Sequence, residues 1–424
     1  MICAIIGILF IGGVIILVER KEYLERLFQW KDEQVIKVIT GIRRCGKSTL
    51  LMQYQTCLKA NGVSADQIVS VNFEELEYEE LLDYRKLYEY LKNHLCVGKK
   101  TYIFLDEIQK VAAFEKVVDS LYVKPDIDIY ITGSNAYMLS SDLATLLTGR
   151  YVEIKMLPLS FKEFLGITAL DAEQGLTEYL RDGGLPYIAV MNRTSEKVET
   201  YLEGIYNTVI VKDIEDRQAR KESEPSKRKI TDITLLKTIA KYLASVAGNP
   251  VSIRSITNYL TSNGRKLSPN TVSDYVDALI ESFIFYPAER FDIVGKQLLK
   301  SNRKLYIVDL GLRNYILPRQ NYDLGFSLEN IVYFELLRRG YRVMIGKVGN
   351  TEVDFVAERK STYSYIQVTA DMTAKETFER ELKPLSNIRD NYEKIILTAD
   401  RFTPGNYNGI QVKYLPDWLL GKNS

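Results

Sequence analysis

Gly41-Ile42-Arg43-Arg44-Cys45-Gly46-Lys47-Ser48, followed by Thr49, has the spacing G-x-x-x-x-G-K-[ST] of a phosphate-binding loop. Its flanks supply the setting such a loop needs. Gln34 to Thr40 is β-branched and apolar enough for a buried strand, and Thr49 to Tyr54 opens a helix. Gly41 and Gly46 let the intervening backbone turn its N–H groups inward around phosphate oxygens, at the positive end of the helix. In this pattern Lys47 reaches the β- and γ-phosphates and the Ser48 hydroxyl ligates Mg2+. Residues 41–49 therefore read as a nucleotide site.

Further along, Lys99 to Glu107 is a short apolar strand ending in two adjacent carboxylates, Asp106 and Glu107. A parallel sheet sets the C-terminal ends of its strands at the ligand crevice, where the phosphate loop also lies. There Asp106 is expected to hold the hydrated Mg2+, and Glu107 to orient or deprotonate the attacking water. Asp128 to Asn135 reads as another strand, ending in Ser134 and Asn135, polar side chains suited to bridging the γ-phosphate and the water. Arg150 is read either as positive charge for the γ-phosphate of its own or a neighbouring subunit, or as a structural ion-pair partner. No N-K-x-D or T-K-x-D segment occurs, which favours ATP over GTP.

These residues carry a resemblance. The loop, Phe104-Leu105-Asp106-Glu107-Ile108-Gln109, Ile131-Thr132-Gly133-Ser134-Asn135 and Leu147-Thr148-Gly149-Arg150-Tyr151 resemble the prokaryotic AAA-superfamily ATPases of archaeal-ATPase type. So do Leu157 to Phe164, the Gly183-Gly184-Leu185-Pro186 turn, and Lys304 to Leu312. The resemblance runs from Val18 onward. It implies an α/β protein: an AAA-type parallel-sheet core that binds ATP, a helical and winged-helix middle, and a C-terminal restriction-endonuclease-like α/β domain. It implies no particular substrate.

A chain of 424 residues is long enough for two to four domains. We expect an ATPase core over 19–165, lid-like helices over 166–230, a winged helix-turn-helix over 231–300 and the C-terminal domain over 301–424. A formal net charge of +1 excludes a globally basic surface. The four cysteines lack metal-ligand spacing and only one histidine, His94, is present, so a reducing cytoplasm is the expected compartment. Ile2 to Val18 is an uncharged run of 17 residues, just short of the ~20 that span a bilayer. A membrane anchor, a buried strand and translation from an upstream start all fit it. Arg20 and Lys21 would hold its C-terminal side in the cytoplasm if it did span.

Three short helices (235–246, 252–260 and 271–283) and a hairpin give the winged-helix plan, with Ser268-Pro269 opening the third. That third helix carries Asp274, Asp277 and Glu281 and no Lys or Arg, although DNA affinity rests on basic contacts. The flanks offer Arg254, Arg265, Lys266, Arg290, Lys296, Lys300, Arg303 and Lys304. A DNA partner and a protein partner both remain open, as does a homo-oligomer. In the C-terminal domain Glu329 and Asp354 match the acids of a metal nuclease, but Gln367 and Thr369 stand where Glu and Lys are needed. We expect that domain to recognise rather than cut, with Arg338, Arg339, Arg342 and Lys347 near any phosphate contacts. The functional expectation is slow Mg2+-dependent ATP hydrolysis coupled to a partner. The alternatives are a nucleotide-gated regulator without appreciable hydrolysis and an ATP-dependent nuclease.

Overall fold

A computed structural model of the chain describes residues 8–11, 14–17, 20–133, 149–213, 232–317 and 324–422. It divides into two compact units, Met1–Pro158 with Glu281–Phe283, and Leu159–Ile280 with Ile284–Ser424.

In the first unit, β1 (Ile8–Ile11) and β2 (Val14–Leu17) pair antiparallel as a separate two-stranded ribbon. No helix among the described residues is long and apolar enough to cross a membrane. The main sheet is built from β3 (Ile36–Thr40), β4 (Ile68–Asn72), β5 (Thr101–Asp106), β6 (Ile127–Gly133) and β7 (Tyr151–Lys155). Its order is β4-β5-β6-β3-β7 and every pairing is parallel. Parallel sheets need cover on both faces, so their inner strands read as continuous apolar runs. β3 and β5 are buried at every residue. On one face lie α3 (Tyr84–Asn93) and α4 (Phe114–Tyr122), which bury Leu87, Leu91, Val117 and Leu121 against Val38, Ile103 and Ile131. α1 (Lys21–Gln29) and α2 (Lys47–Ala60) contribute Phe28 and Tyr54 to an aromatic layer. There Tyr54 meets Phe28 at 4.9 Å and Tyr130 at 5.1 Å, and Phe104 stacks on Tyr130 at 4.8 Å.

As a compact unit the first part of the chain ends at Pro158, seven residues before the expected 165. Helix Phe161–Thr168, capped by Ser160 and Glu163, belongs to the second unit. There Phe161 and Phe164 pack on Tyr179, whose hydroxyl donates to the Leu159 carbonyl at 2.7 Å. A second correction concerns residue 300. The expected domain boundary falls inside β10 (Gln297–Ile307), which pairs with β8 (Pro250–Val251) and β9 (Phe285–Asp292). β9 in turn pairs in parallel with β11 (Arg342–Val348), so the hairpin and the C-terminal strands form one nine-stranded sheet. Helices Ile233–Ser245, Ile253–Ser262 and Pro269–Glu281 occur close to the expected places. So do helix Leu324–Arg338 and strands β12 (Thr351–Arg359) and β13 (Thr362–Thr369). Most of the stretch expected to be a linker, 217–229, lies outside the described residues.

Asp309 ties two of the sequence motifs together. Its carboxylate accepts from Gly184 N at 2.7 Å and from Leu312 N at 3.0 Å, capping helix Leu310–Ile316. Gly183, at φ +85°, has no room for a Cβ beside that carboxylate. Burial raises the Asp309 pKa from 3.8 to about 6 against the opposing backbone bonds. The folded state therefore keeps this proton to higher pH than the unfolded state. The stability this gives is complete below about pH 4 and lost as pH rises through about 6. Wild type should accordingly hold a larger advantage over Asp309→Asn at pH 4.5 than at pH 7. The expected difference is roughly 1–3 kcal/mol, read from urea unfolding at both values.

Candidate functional site

The strand order decides what meets at the crevice. β6 lies between β3 and β5, so the end of β6 separates the phosphate loop from the paired acids. Gly41 leaves β3 at φ +149°, where a Cβ would meet the Met156 carbonyl oxygen at 2.1 Å. Gly46, at φ +100°, caps the N-terminus of α2 in a left-handed conformation. Ile42 and Cys45 are buried, Arg43 and Thr49 half-buried, and Arg44 and Ser48 exposed. Burial pushes the Cys45 thiol up, away from thiolate reactivity.

Lys47 reaches back into the loop. Its Nζ donates to Gly41 O at 3.1 Å and Ile42 O at 3.4 Å, and lies 3.7 Å from Glu107 Oε1. The Ser48 hydroxyl and the Asp106 carboxylate, the two expected Mg2+ ligands, are close enough to interact. Thr132 Oγ1 donates to Asp106 Oδ1 and accepts from Glu107 N at 2.9 Å. Gln109 Nε2 donates to Glu107 Oε2. Lys47, Asp106, Glu107 and Gln109 are all buried. Burial raises the Asp106 carboxyl, with the bonds from Ser48 and Thr132 opposing it.

Ser134 and Asn135 lie outside the described residues. Arg150 is elsewhere. It precedes β7 at the N-terminal end of the sheet, where its carbonyl accepts from Ile36 N at 2.9 Å. Its guanidinium lies 3.7 Å from Asp119 Oδ1 and over the Tyr122 ring. A strand length separates it from the loop of its own chain, so within one chain it has the ion-pair role.

Three residues of the site escaped the motif reading. Arg20, buried, donates to Cys45 O at 3.1 Å and Leu157 O at 2.8 Å, bracing the loop from behind. Thr132 and Gln109 bind the two acids. Both lie inside the segments Phe104 to Gln109 and Ile131 to Asn135 that carry the resemblance, which assigned them no role.

The second unit holds a buried ionic cluster. Lys304 Nζ lies 3.2 Å from Glu329 Oε1 and 2.7 Å from Glu352 Oε1. Tyr306 OH also donates to Glu329, and Asp354 accepts from Val368 N at 2.8 Å. Burial raises both the Glu329 and Asp354 carboxyls. Lys304 thus supplies a cation that Gln367 and Thr369 lack, but it is 4% exposed and cannot serve as the surface DNA contact expected of it. Arg338 is likewise buried, its guanidinium donating to Leu159 O at 3.2 Å. The half-buried face of helix Pro269–Glu281 carries Asp274, Asp277 and Glu281 and no basic residue for a DNA groove. Because Lys304 is already shared by two carboxylates, we expect no cleavage of supercoiled, single-stranded or branched DNA with Mg2+ or Mn2+. Nicking that Asp354→Ala removes would show the cluster to be a working nuclease.

A parallel sheet of this order, with phosphate loop and acids at its carboxyl edge, defines an AAA-type P-loop domain, a nucleotide-binding α/β fold. A family model described as an AAA domain matches residues 33–165, and one described as a domain of unknown function (DUF8612) matches 173–323. The chain is 40% identical over 410 residues to an uncharacterized protein of Haemophilus influenzae, covering 95% of this chain and 99% of that one. It is 32% identical over 384 residues to one of Methanocaldococcus jannaschii, covering 85% and 78% respectively. The chain belongs to the family of these two proteins. Among solved structures it is similar to a Walker-type ATPase of Pyrococcus abyssi, at 17% identity over 71% of this chain and 96% of that one, with a TM-score of 0.46. It is similar also to the Orc1 protein of Aeropyrum pernix in complex with DNA, at 14% identity over 71% and 92%, with a TM-score of 0.31. Likeness this distant carries nothing about partners.

Proposed function

We propose that the chain binds MgATP at residues 41–49 and hydrolyses it slowly, coupling nucleotide state to a protein or DNA partner. The observation that carries this reading is the convergence of Lys47 and Ser48 from one segment with Asp106 and Glu107 from another. A site for binding alone has no use for Glu107, a second buried carboxylate beside the first. Ser48 and Asp106 suit a hard cation, being oxygen donors near one another. These two residues would hold Mg2+, which would supply positive charge against the charge that develops on the phosphates. Lys47 exchanges the loop carbonyls for phosphate oxygens. Glu107, released from Lys47, takes a proton from the water as its oxygen attacks the γ-phosphorus and the bond to the ADP oxygen breaks. A homo-oligomer is the arrangement in which Arg150 reaches a γ-phosphate, that of a neighbouring subunit.

The test is phosphate release from ATP across a Mg2+ titration. Slow release that needs Mg2+ and stops with EDTA supports hydrolysis. ATP binding without release at any Mg2+ concentration favours the nucleotide-gated regulator instead.

A further inference from the structure

Glu107 sits at φ +55°, so the chain turns abruptly out of β5. The 3-10 turn Ile108–Lys110 that follows folds the Gln109 side chain back onto the Glu107 carboxylate. Gln109 is 7% exposed. Its Nε2 is spent on Glu107 Oε2, and its Oε1 finds no hydrogen-bond partner among the described residues. A buried amide oxygen without a donor is uncommon in a folded protein and calls for a specific explanation. The amide cannot be turned to relieve it, because Oε1 would then face a carboxylate, acceptor against acceptor.

What the oxygen lacks is a donor, on an amide whose nitrogen already holds the Glu107 carboxylate. A water bound in such a place requires two or more polar partners. We infer that Gln109 Oε1 is the second acceptor for the attacking water, sharing it with Glu107. One O–H then points to Glu107, which takes that proton. The other is held by Gln109 and stays on the oxygen, and the lone pair is left to attack phosphorus. Gln109 also fixes Glu107 by its N–H, so one side chain places both the base and the nucleophile. This rests on the hydrolytic reading above.

The experiment compares wild type, Gln109→Met and Gln109→Glu for ATP affinity, kcat and the pH dependence of kcat, with thermal unfolding as the check on folding. Gln109→Met keeps the side-chain length and removes both polar atoms. It should lower kcat by about 10²-fold, the scale of a misplaced reacting group, with ATP affinity within twofold of wild type. Gln109→Glu keeps an oxygen acceptor but sets a second carboxylate beside Glu107. It should move the acidic limb of the kcat profile to higher pH, because like charges disfavour ionisation. A purely structural Gln109 would lower the melting temperature of Gln109→Met and leave kcat of the folded variant within twofold of wild type. A folded Gln109→Met with kcat within twofold of wild type overturns the inference alone. If Gln109→Met does not fold, an unmoved acidic limb in Gln109→Glu overturns it. No turnover by the wild-type chain overturns the hydrolytic reading and this inference together.

Discussion

Substituting Lys47 by Ala is expected to weaken MgATP binding by roughly 10²–10⁴-fold and to abolish turnover with it. A hydrogen bond to a charged group contributes about 1.5–3 kcal/mol, and this ammonium is placed to make two, to the β- and γ-phosphates. Each 1.4 kcal/mol is about a tenfold change in affinity. The group is already held inside the loop by Gly41 O and Ile42 O, so binding exchanges partners and orders little that was free. The glycine conformations that shape the loop do not depend on Lys47, and the variant should fold. Titration with a fluorescent ATP analogue measures the effect. Affinity within threefold of wild type would mean that the phosphates lie elsewhere.

The second large effect concerns stability, at the opposite end of the same sheet. Lys37 and Asp128 form an ion pair with side chains 0% and 1% exposed. Asp128 also accepts from Tyr130 OH at 2.9 Å and Asp32 N at 2.9 Å, while Lys37 donates to Glu33 O at 2.8 Å. Burial raises the Asp128 carboxyl and lowers the Lys37 ammonium, the same cost of dehydration seen from both partners. Asp128→Ala leaves a buried cation without its anion, which typically costs about 3–5 kcal/mol. For a unit of this size that is a fall of roughly 10 °C in melting temperature. Replacing both partners, as in Lys37→Met with Asp128→Leu, should recover most of the loss. A loss under about 1 kcal/mol on urea unfolding of Asp128→Ala would show the pair to be effectively hydrated.

Much of the candidate site was legible because its chemistry is local in sequence. The loop needs two glycines, a lysine and a hydroxyl at fixed spacing, and the acids announce themselves at the end of an apolar run. What could not be read depends on the sheet order. Thr132 matters because β6 is inserted between β3 and β5, and no local pattern encodes that neighbour relation. Arg20 braces the loop through carbonyls 25 and 137 residues away. Lys304 stood among surface basic residues in the sequence, yet β10 turns it inward onto Glu329 and Glu352. The boundary near residue 300 failed for a related reason. Hairpin and helix periodicity mark elements, whereas the parallel pairing of β9 with β11 joins elements more than 50 residues apart (Arg290 opposite Ile345). Arg150 carries the same lesson, since its place at the far end of β7 becomes visible only once strand direction is known.

The central claim is that Glu107 turns a binding site into a hydrolytic one. Its most direct test is the ratio of phosphate-release rates of wild type and Glu107→Gln at saturating MgATP, with ATP affinity measured on the same samples. General-base catalysis contributes roughly 10²–10⁴-fold, so the variant should release phosphate at least about 10²-fold more slowly while binding ATP as tightly as wild type. Equal rates in the two proteins would contradict the account.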